Sequence, residues 1–286
     1  MMHIMQSAPT PPASPVPVRR APSAPSALAR AYGPWAVVTG ASDGIGRAFV
    51  DALADAGVDL VLVARRQAVL EALAAETTAR TGVQTRVLAL DLARPEAPAA
   101  LLDATRDLDV GLFVAAAGFG TSGEFVDATL DAELEMIDVN CRAVAATSHG
   151  FGRRFAARGR GGLLLLSSLV AFQGVPRAAN YAATKAYVQS LAEGLHHELA
   201  PRGVTVLASA PGPVRSGFAA RAGMTMGLAQ TPAEVAHASL AALGRRATVR
   251  PGWLAWALEA SLKLLPRWGR VRMMAVVMRG MTHGRA

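Results

Sequence analysis

One cysteine, Cys141, is all the 286-residue chain contains, so no disulfide can form within it and a reducing, cytoplasmic compartment is expected. Lysine is almost as scarce: of 29 basic side chains only Lys185 and Lys263 are lysine, and arginine carries the remaining positive charge. Asparagine occurs twice, at Asn140 and Asn180. Aromatic residues make up 5%, without the stacking platforms or reading helix of a nucleic-acid binder. No apolar run reaches the roughly 20 residues that span a bilayer. His196 and His197 are adjacent, so a helix turns them about 100° apart, and no ligand cluster accompanies them; a metal enzyme is not expected.

Charge is distributed unevenly. Residues 245–286 hold nine basic residues against Glu259, whereas residues 31–244 hold 17 basic against 20 acidic, so the net charge of +8 lies in the ends and the body is slightly acidic. Proline recurs from Pro9 to Pro25 beside Arg19 and Arg20, with no apolar run of a secretory signal; residues 1–30 read as a disordered lead. With 52% hydrophobic residues the remainder can bury a substantial core.

From Trp35 onward, short apolar runs alternate with amphipathic stretches. Strands are expected at 35–39, 59–64, 85–90, 109–116, 162–167, 204–209 and, weakly, 247–250. Helices are expected at 45–56, 67–80, 97–106, 131–157, 180–200 and 232–243. Nearly continuous apolar strands imply burial on both faces. The fold class is therefore α/β, a doubly wound Rossmann fold with about seven parallel strands over residues 31–250, followed by a basic amphipathic extension at 251–286.

Thr39-Gly40-Ala41-Ser42-Asp43-Gly44-Ile45-Gly46 lies between the first strand and the first long helix. Glycines there let helix N-terminal amides approach a pyrophosphate, which the helix dipole also favours. The second strand ends Ala64-Arg65-Arg66, where an NAD-binding chain carries an acid for the ribose 2′-hydroxyl. Arg65, with Arg66 and the Ser42 hydroxyl, suits a 2′-phosphate instead, so NADP(H) is preferred over NAD(H); two arginines that merely face water are the competing reading. Asp91-Leu92 closes the third strand, where the carboxylate could accept from an adenine amino group or simply cap a turn. Tyr181 and Lys185, four residues apart on a helix, share a face and bring a phenol beside an ammonium. Nearby positive charge favours the phenolate, and a compact ammonium can also bond sugar hydroxyls.

These residues resemble the short-chain dehydrogenase/reductase family from about Trp35 to Ala242. Its TGxxxGxG motif is met by Thr39, Gly40, Gly44 and Gly46, and its YxxxK by Tyr181 and Lys185. Its serine, 13 positions before the tyrosine, falls on Ser168 and not on Ser167, whose side chain faces the other way along a strand. Its asparagine falls on Asn140, and its Pro-Gly segment on Pro211, Gly212, Pro213 and Val214. Two departures stand out. Ala115-Ala116-Ala117-Gly118 replaces a common Asn-Asn-Ala-Gly, losing two amides that brace the central strand, and Ser216 replaces a usual threonine.

The resemblance implies reduction of a carbonyl, or the reverse oxidation. Tyr181 is then the general acid, Ser168 the hydroxyl holding the carbonyl oxygen, Lys185 the group lowering the phenol pKa and binding ribose, and Asn140 the residue securing a water that returns protons through lysine. The implied cofactor contacts run from the glycine loop (Gly40, Ser42, Asp43, Gly44, Ile45, Gly46) through Arg65, Asp91 and Leu92. They continue with Ala117, Gly118, Tyr181 and Lys185, and end at Pro211, Gly212, Val214 and Ser216.

On the substrate side, Phe218, Met224, Met226 and Leu228 among Gly217, Gly223 and Gly227 suggest a mobile apolar lid. With Phe172 and Val175 they point to a lipophilic carbonyl or alcohol. The tail, with Trp253-Leu254-Ala255-Trp256 and Val271 to Met278, can cover the substrate cleft, pack at an oligomer interface or lie peripherally on an anionic membrane. A homodimer or homotetramer through the helices at 131–157 and 180–200 is a further expectation from the resemblance. Competing readings are a 3-oxoacyl-thioester reductase and a non-catalytic NADPH-binding regulator or membrane-associated scaffold.

Overall fold

The computed structural model describes residues 26–223, 229–252 and 264–282. Seven strands form one parallel sheet in the order β3-β2-β1-β4-β5-β6-β7: β1 Trp35–Thr39, β2 Asp59–Ala64, β3 Thr85–Ala89, β4 Val110–Ala115, β5 Gly161–Leu166, β6 Val204–Ser209 and β7 Thr248–Val249. The chain runs outward from β1 through β2 to β3, then returns to lay β4 against the other side of β1. A crevice therefore opens at the carboxyl ends of β1 and β4, where the winding reverses.

Strand alternation sorts the core into two layers. Val38, Leu60, Leu62, Leu112, Val114 and Leu164 pack with Phe49 and Leu53 of α2 (Gly44–Asp55) and Leu70 of α3 (Gln67–Thr81). Their neighbours Val37, Val61, Phe113, Leu163 and Val206 face Leu101 of α4 (Ala97–Ala104), with Phe151 and Phe155 of a long helix on that side. The rings of Phe113 and Phe151 stack with centroids 4.6 Å apart. Burial on both faces accounts for the unbroken apolar strands read from the sequence.

Three local differences from the sequence reading have physical causes. Residues 27–30, expected within the disordered lead, are helical, because α1 occupies Ala27–Tyr32 beyond the last of the clustered prolines; residues 1–25 of that expectation lie outside the described residues. Ser26 caps it by accepting from the Ala29 amide at 3.1 Å, and its hydroxyl donates to the Ala56 carbonyl at 2.6 Å. The helix expected at 131–157 is α5 (Leu130–Ile137), a π-turn at Asp138–Arg142 and α6 (Ala143–Arg158), the turn absorbing an extra residue at Asn140. Two further helices were not separated from their surroundings in the sequence: α8 (Gly217–Ala222) and a C-terminal helix, Arg267–Thr282. α7 (Ala179–Leu199) and α9 (Pro232–Ala242) fall where expected within a residue.

Candidate active site

The crevice is a cavity of about 740 Å³. Its floor is the glycine loop. Gly40 turns with φ 69°, and a Cβ on Gly46 would lie 2.1 Å from the Gly40 carbonyl oxygen, so only glycine allows α2 to start this close to β1. Asp43 caps α2, its carboxylate accepting from the Gly44 amide at 2.7 Å, while the Ile45 and Gly46 amides belong to a first turn that has no intrahelical acceptors. Thr39 answers the missing asparagines after β4. Its hydroxyl donates to the Val114 carbonyl and accepts from the Ala116 and Ala117 amides at 3.1 and 3.2 Å, bracing the strand end from the neighbouring strand.

At the far end of the floor the two arginines are placed differently. Arg66 donates to the Ser42 hydroxyl at 3.2 Å, bridging the second strand's end to the glycine loop. Arg65 pairs with Glu135 of α5 at 3.5 Å across the slot bounded by Leu90, Asp91 and Leu92. Asp91 is also a turn residue, since its carboxylate accepts from the Ala93 amide at 3.1 Å. Glu135 has no counterpart in the sequence reading. It belongs to the cavity because α5 brings it to Arg65, a tertiary fact without a local signal.

At the other end Ser168, Tyr181 and Lys185 converge. β5 ends at Leu166, and the two serines beyond it diverge: the Ser167 hydroxyl donates to the Lys185 carbonyl at 3.1 Å, whereas Ser168 hydrogen-bonds the Tyr181 phenol. Tyr181 is half-buried, with the Phe218 ring of α8 against it at 5.2 Å between centroids. Lys185, 7% exposed, donates from Nζ to the Leu166 carbonyl at 2.8 Å, and Nζ lies 5.9 Å from the Tyr181 ring centroid. Burial pushes the phenol up to about 12, and the Ser168 hydrogen bond is what pulls it back. Burial also lowers the lysine amine to about 8.

Apart from Asn140, every residue expected to bind cofactor or act in catalysis lines this cavity, including Pro211, Gly212, Val214, Ser216, Ala117 and Gly118. Asn140 stands behind the wall, 1% exposed. Its amide accepts from the Phe119 N–H at 3.2 Å and donates to the Phe119 carbonyl at 2.9 Å and to the Thr184 hydroxyl at 3.0 Å. The side chain thus joins the π-turn to the loop after β4 and to the tyrosine helix. Removing it strands buried backbone groups, so Asn140→Ala should lower unfolding free energy by about 3 kcal/mol in urea titration. A loss below ~1 kcal/mol would contradict this bracing role.

Glu133, 5% exposed, forms a second bracket that sequence patterning did not reveal. It accepts from the Thr121 hydroxyl at 2.7 Å and from the Asn180 amide at 2.6 Å, fixing the residue just before Tyr181. Of the lid residues, Phe218 lies in α8, while Met224, Met226 and Leu228 fall outside the described residues, as do Trp253 to Trp256. Phe172 lies outside the cavity lining, its ring covered by the Arg250 guanidinium at 4.6 Å. Val175 is core, packed with Met278 of the C-terminal helix. Of the three places the sequence left open for the tail, the described part of that helix takes the first, covering the cleft with Met273, Met274, Val277, Met278 and Met281. No described helix is long and apolar enough to cross a membrane. Among the described residues no group of three or more His, Cys, Asp or Glu side chains is arranged to hold a metal.

Known proteins place this architecture. Residues 34–226 match the family model for short chain dehydrogenase. The chain is 36% identical over 176 residues to a 7beta-hydroxysteroid dehydrogenase of Clostridium sardiniense, covering 62% of this chain and 67% of that protein. It is 37% identical over 179 residues to a very-long-chain 3-oxoacyl-CoA reductase of Podospora anserina, covering 61% of this chain and 53% of that protein. A short-chain dehydrogenase from Sphingobium yanoikuyae, solved in complex with NADPH, superposes with a TM-score of 0.73 at 32% identity, covering 81% of this chain and 94% of the other. The chain belongs to the short-chain dehydrogenase family and is an NAD(P)-dependent oxidoreductase acting on CH–OH and C=O groups.

Proposed function

We propose that the protein is an NADPH-dependent reductase of a lipophilic ketone, able to run in reverse as an alcohol dehydrogenase. The observation that carries this reading is the convergence of Ser168, Tyr181 and Lys185 at the mouth of the crevice. The crevice fits a nicotinamide dinucleotide: first-turn amides of α2 face a floor where a Cβ has no room, and two arginines stand at the end where the adenosine ribose would lie. Gly40, Gly44, Ile45 and Gly46 would hold the pyrophosphate, Asp91 and Leu92 would flank the adenine, and Ala117, Gly118, Pro211, Gly212, Val214 and Ser216 would line the nicotinamide half. When bound, the dinucleotide supplies the hydride.

The chain's own residues manage the proton. With its phenol pushed up to about 12, Tyr181 is fully protonated at neutral pH and can donate to a carbonyl oxygen as charge builds there. Ser168, beside the phenol, can donate its hydroxyl proton to the same oxygen. Lys185 presents an ammonium at the ribose end of this group below about pH 8. In the oxidising direction the phenolate is required, so alcohol oxidation should speed up with pH while ketone reduction does not. Asn140 braces Phe119 and Thr184 beside the lysine, where it would secure the water that returns protons through Lys185.

Arg66 with Ser42, and Arg65 once released from Glu135, support NADP(H) over NAD(H), in line with the NADPH bound in the Sphingobium enzyme. Arg65→Asp should reduce the NADPH-to-NADH ratio of kcat/KM by about tenfold or more, the worth of a charge-assisted phosphate contact. An unaltered ratio would remove Arg65 from the 2′-phosphate site. The exposed apolar residues Leu130, Leu134 and Ile137 on α5, with Tyr187 on α7, support pairing of two copies through these helices. The fungal relative keeps a 3-oxoacyl-thioester as second substrate reading. NADPH oxidation against ketones, aldehydes, steroids and oxoacyl thioesters decides between them, and bound NADPH with no turnover on any would leave only a non-catalytic role.

A further inference from the structure

We infer that the C-terminal helix is the specificity wall of this enzyme, that Met274 and Val277 are its specificity-determining residues, and that the class it selects is a neutral, bulky apolar ketone or secondary alcohol. The inference rests on the reductase reading above and names its substrate.

Met274, Val277, Met278 and Met281 recur at helical spacing and present one face to the cavity. Met278, 3% exposed, anchors that face: it packs with Val175, Ala178 and Ala182, the last two on either side of Tyr181 in sequence. The wall is thereby registered to the phenol that must reach the substrate oxygen. Leu169, Val170 and Phe218 line the same half of the cavity, Val170 packed against the Met278 cluster.

Charge separates the two halves of the cavity. Its charged lining residues among those described are Asp43, Arg65, Arg66, Asp91, Glu135 and Lys185, all in the half where the dinucleotide would lie. The arginines of the C-terminal helix are not part of the lining, and Arg272 lies over the exposed Trp268 ring at 5.8 Å. A carboxylate or phosphate close to the reacting carbon would lose its water and find no cation among the described residues of this half. Unbranched thioethers conform to irregular apolar shapes, so the wall favours bulk and tolerates variety.

The test is steady-state NADPH oxidation by the full-length protein, using a fused-ring ketone, a four-carbon ketone, a 2-oxo acid and a 3-oxoacyl thioester. Parent enzyme should prefer the fused-ring ketone by about a hundredfold in kcat/KM, as two or three extra apolar contacts dictate. Met274→Gln and Val277→Gln, both at partly exposed positions where a polar amide need not unfold the chain, should each cut the fused-ring to four-carbon ratio about tenfold, mainly through KM. Met274→Leu, which keeps apolar volume, should hold the ratio within about threefold. Far-ultraviolet circular dichroism checks that each variant is folded. An unchanged ratio in both glutamine variants overturns the wall, and preference for the 2-oxo acid or the thioester overturns the substrate class. Absence of turnover on every substrate with NADPH bound is a different result, sinking the reductase reading and this inference with it.

Discussion

Tyr181→Phe should lower ketone-dependent NADPH oxidation by about a thousandfold or more while changing NADPH affinity by less than about fivefold. The substitution deletes one oxygen whose hydrogen bond runs to Ser168, and it keeps the ring that packs against Phe218, so fold and cavity shape persist. The loss should appear in kcat and kcat/KM together, because the donated proton is needed only as charge develops on the oxygen. Fluorescence titration with NADPH separates binding from chemistry, and thermal unfolding confirms integrity. A variant turning over within about tenfold of the parent would end the assignment of Tyr181 as proton donor. The residual rate has its own diagnostic value. If Ser168 still orients the carbonyl oxygen in the variant, adding Ser168→Ala should lower the residue of activity further, whereas two groups acting only as a unit would show no additional loss.

Elements whose formation depends on local pattern were legible before any coordinates. Apolar runs marked the strands most clearly at β1, β2, β4, β5 and β6, where burial on both faces leaves a continuous signal, and the glycine loop announced itself because close backbone approach at Gly46 admits no other residue. Alternation said that only one of Ser167 and Ser168 could point into the site, and the spacing to Tyr181 selected Ser168. What stayed hidden is what distant segments do to one another. The π-turn at Asn140 follows from its bonds to Phe119 and Thr184, which lie 21 residues before it and 44 after it. Glu135 meets Arg65 from another element, and the methionine face of the C-terminal helix gains meaning only when it lands beside Tyr181. The phenol and the amine also behave differently from the sequence expectation, because burial acts on both, raising the phenol and lowering the amine.

Lys185 should prove intolerant even of arginine. The amine is held in a confined position: it donates to the Leu166 carbonyl at 2.8 Å, and a Cβ built on Gly118 would come within 3.4 Å of Nζ and 3.0 Å of the Asn140 amide oxygen. A planar guanidinium is wider and spreads its donors over a fork, so Lys185→Arg keeps the charge but must displace Gly118, Asn140 or the carbonyl contact. A loss of about a hundredfold or more in kcat/KM is expected, with weakened NADPH binding. The lysine also leaves a signature in stability without cofactor. Its amine is lowered to about 8 in the folded protein against 10.5 as the ordinary value, so between those limits the unfolded chain binds the proton that the folded one has released. Stability therefore rises with pH across that window on account of this group, and below about pH 8 the buried ammonium is a net cost. Tyr181 acts in the opposite sense higher up, its contribution to stability falling between about 10 and 12, where the folded protein retains a proton the unfolded chain has lost. Lys185→Met should abolish the rise above pH 8 in urea-derived unfolding free energies and, at neutral pH, yield a protein at least as stable as the parent yet without turnover. The same rise persisting in Lys185→Met would show that another group titrates there, and the buried ammonium would lose its place in this account of the site.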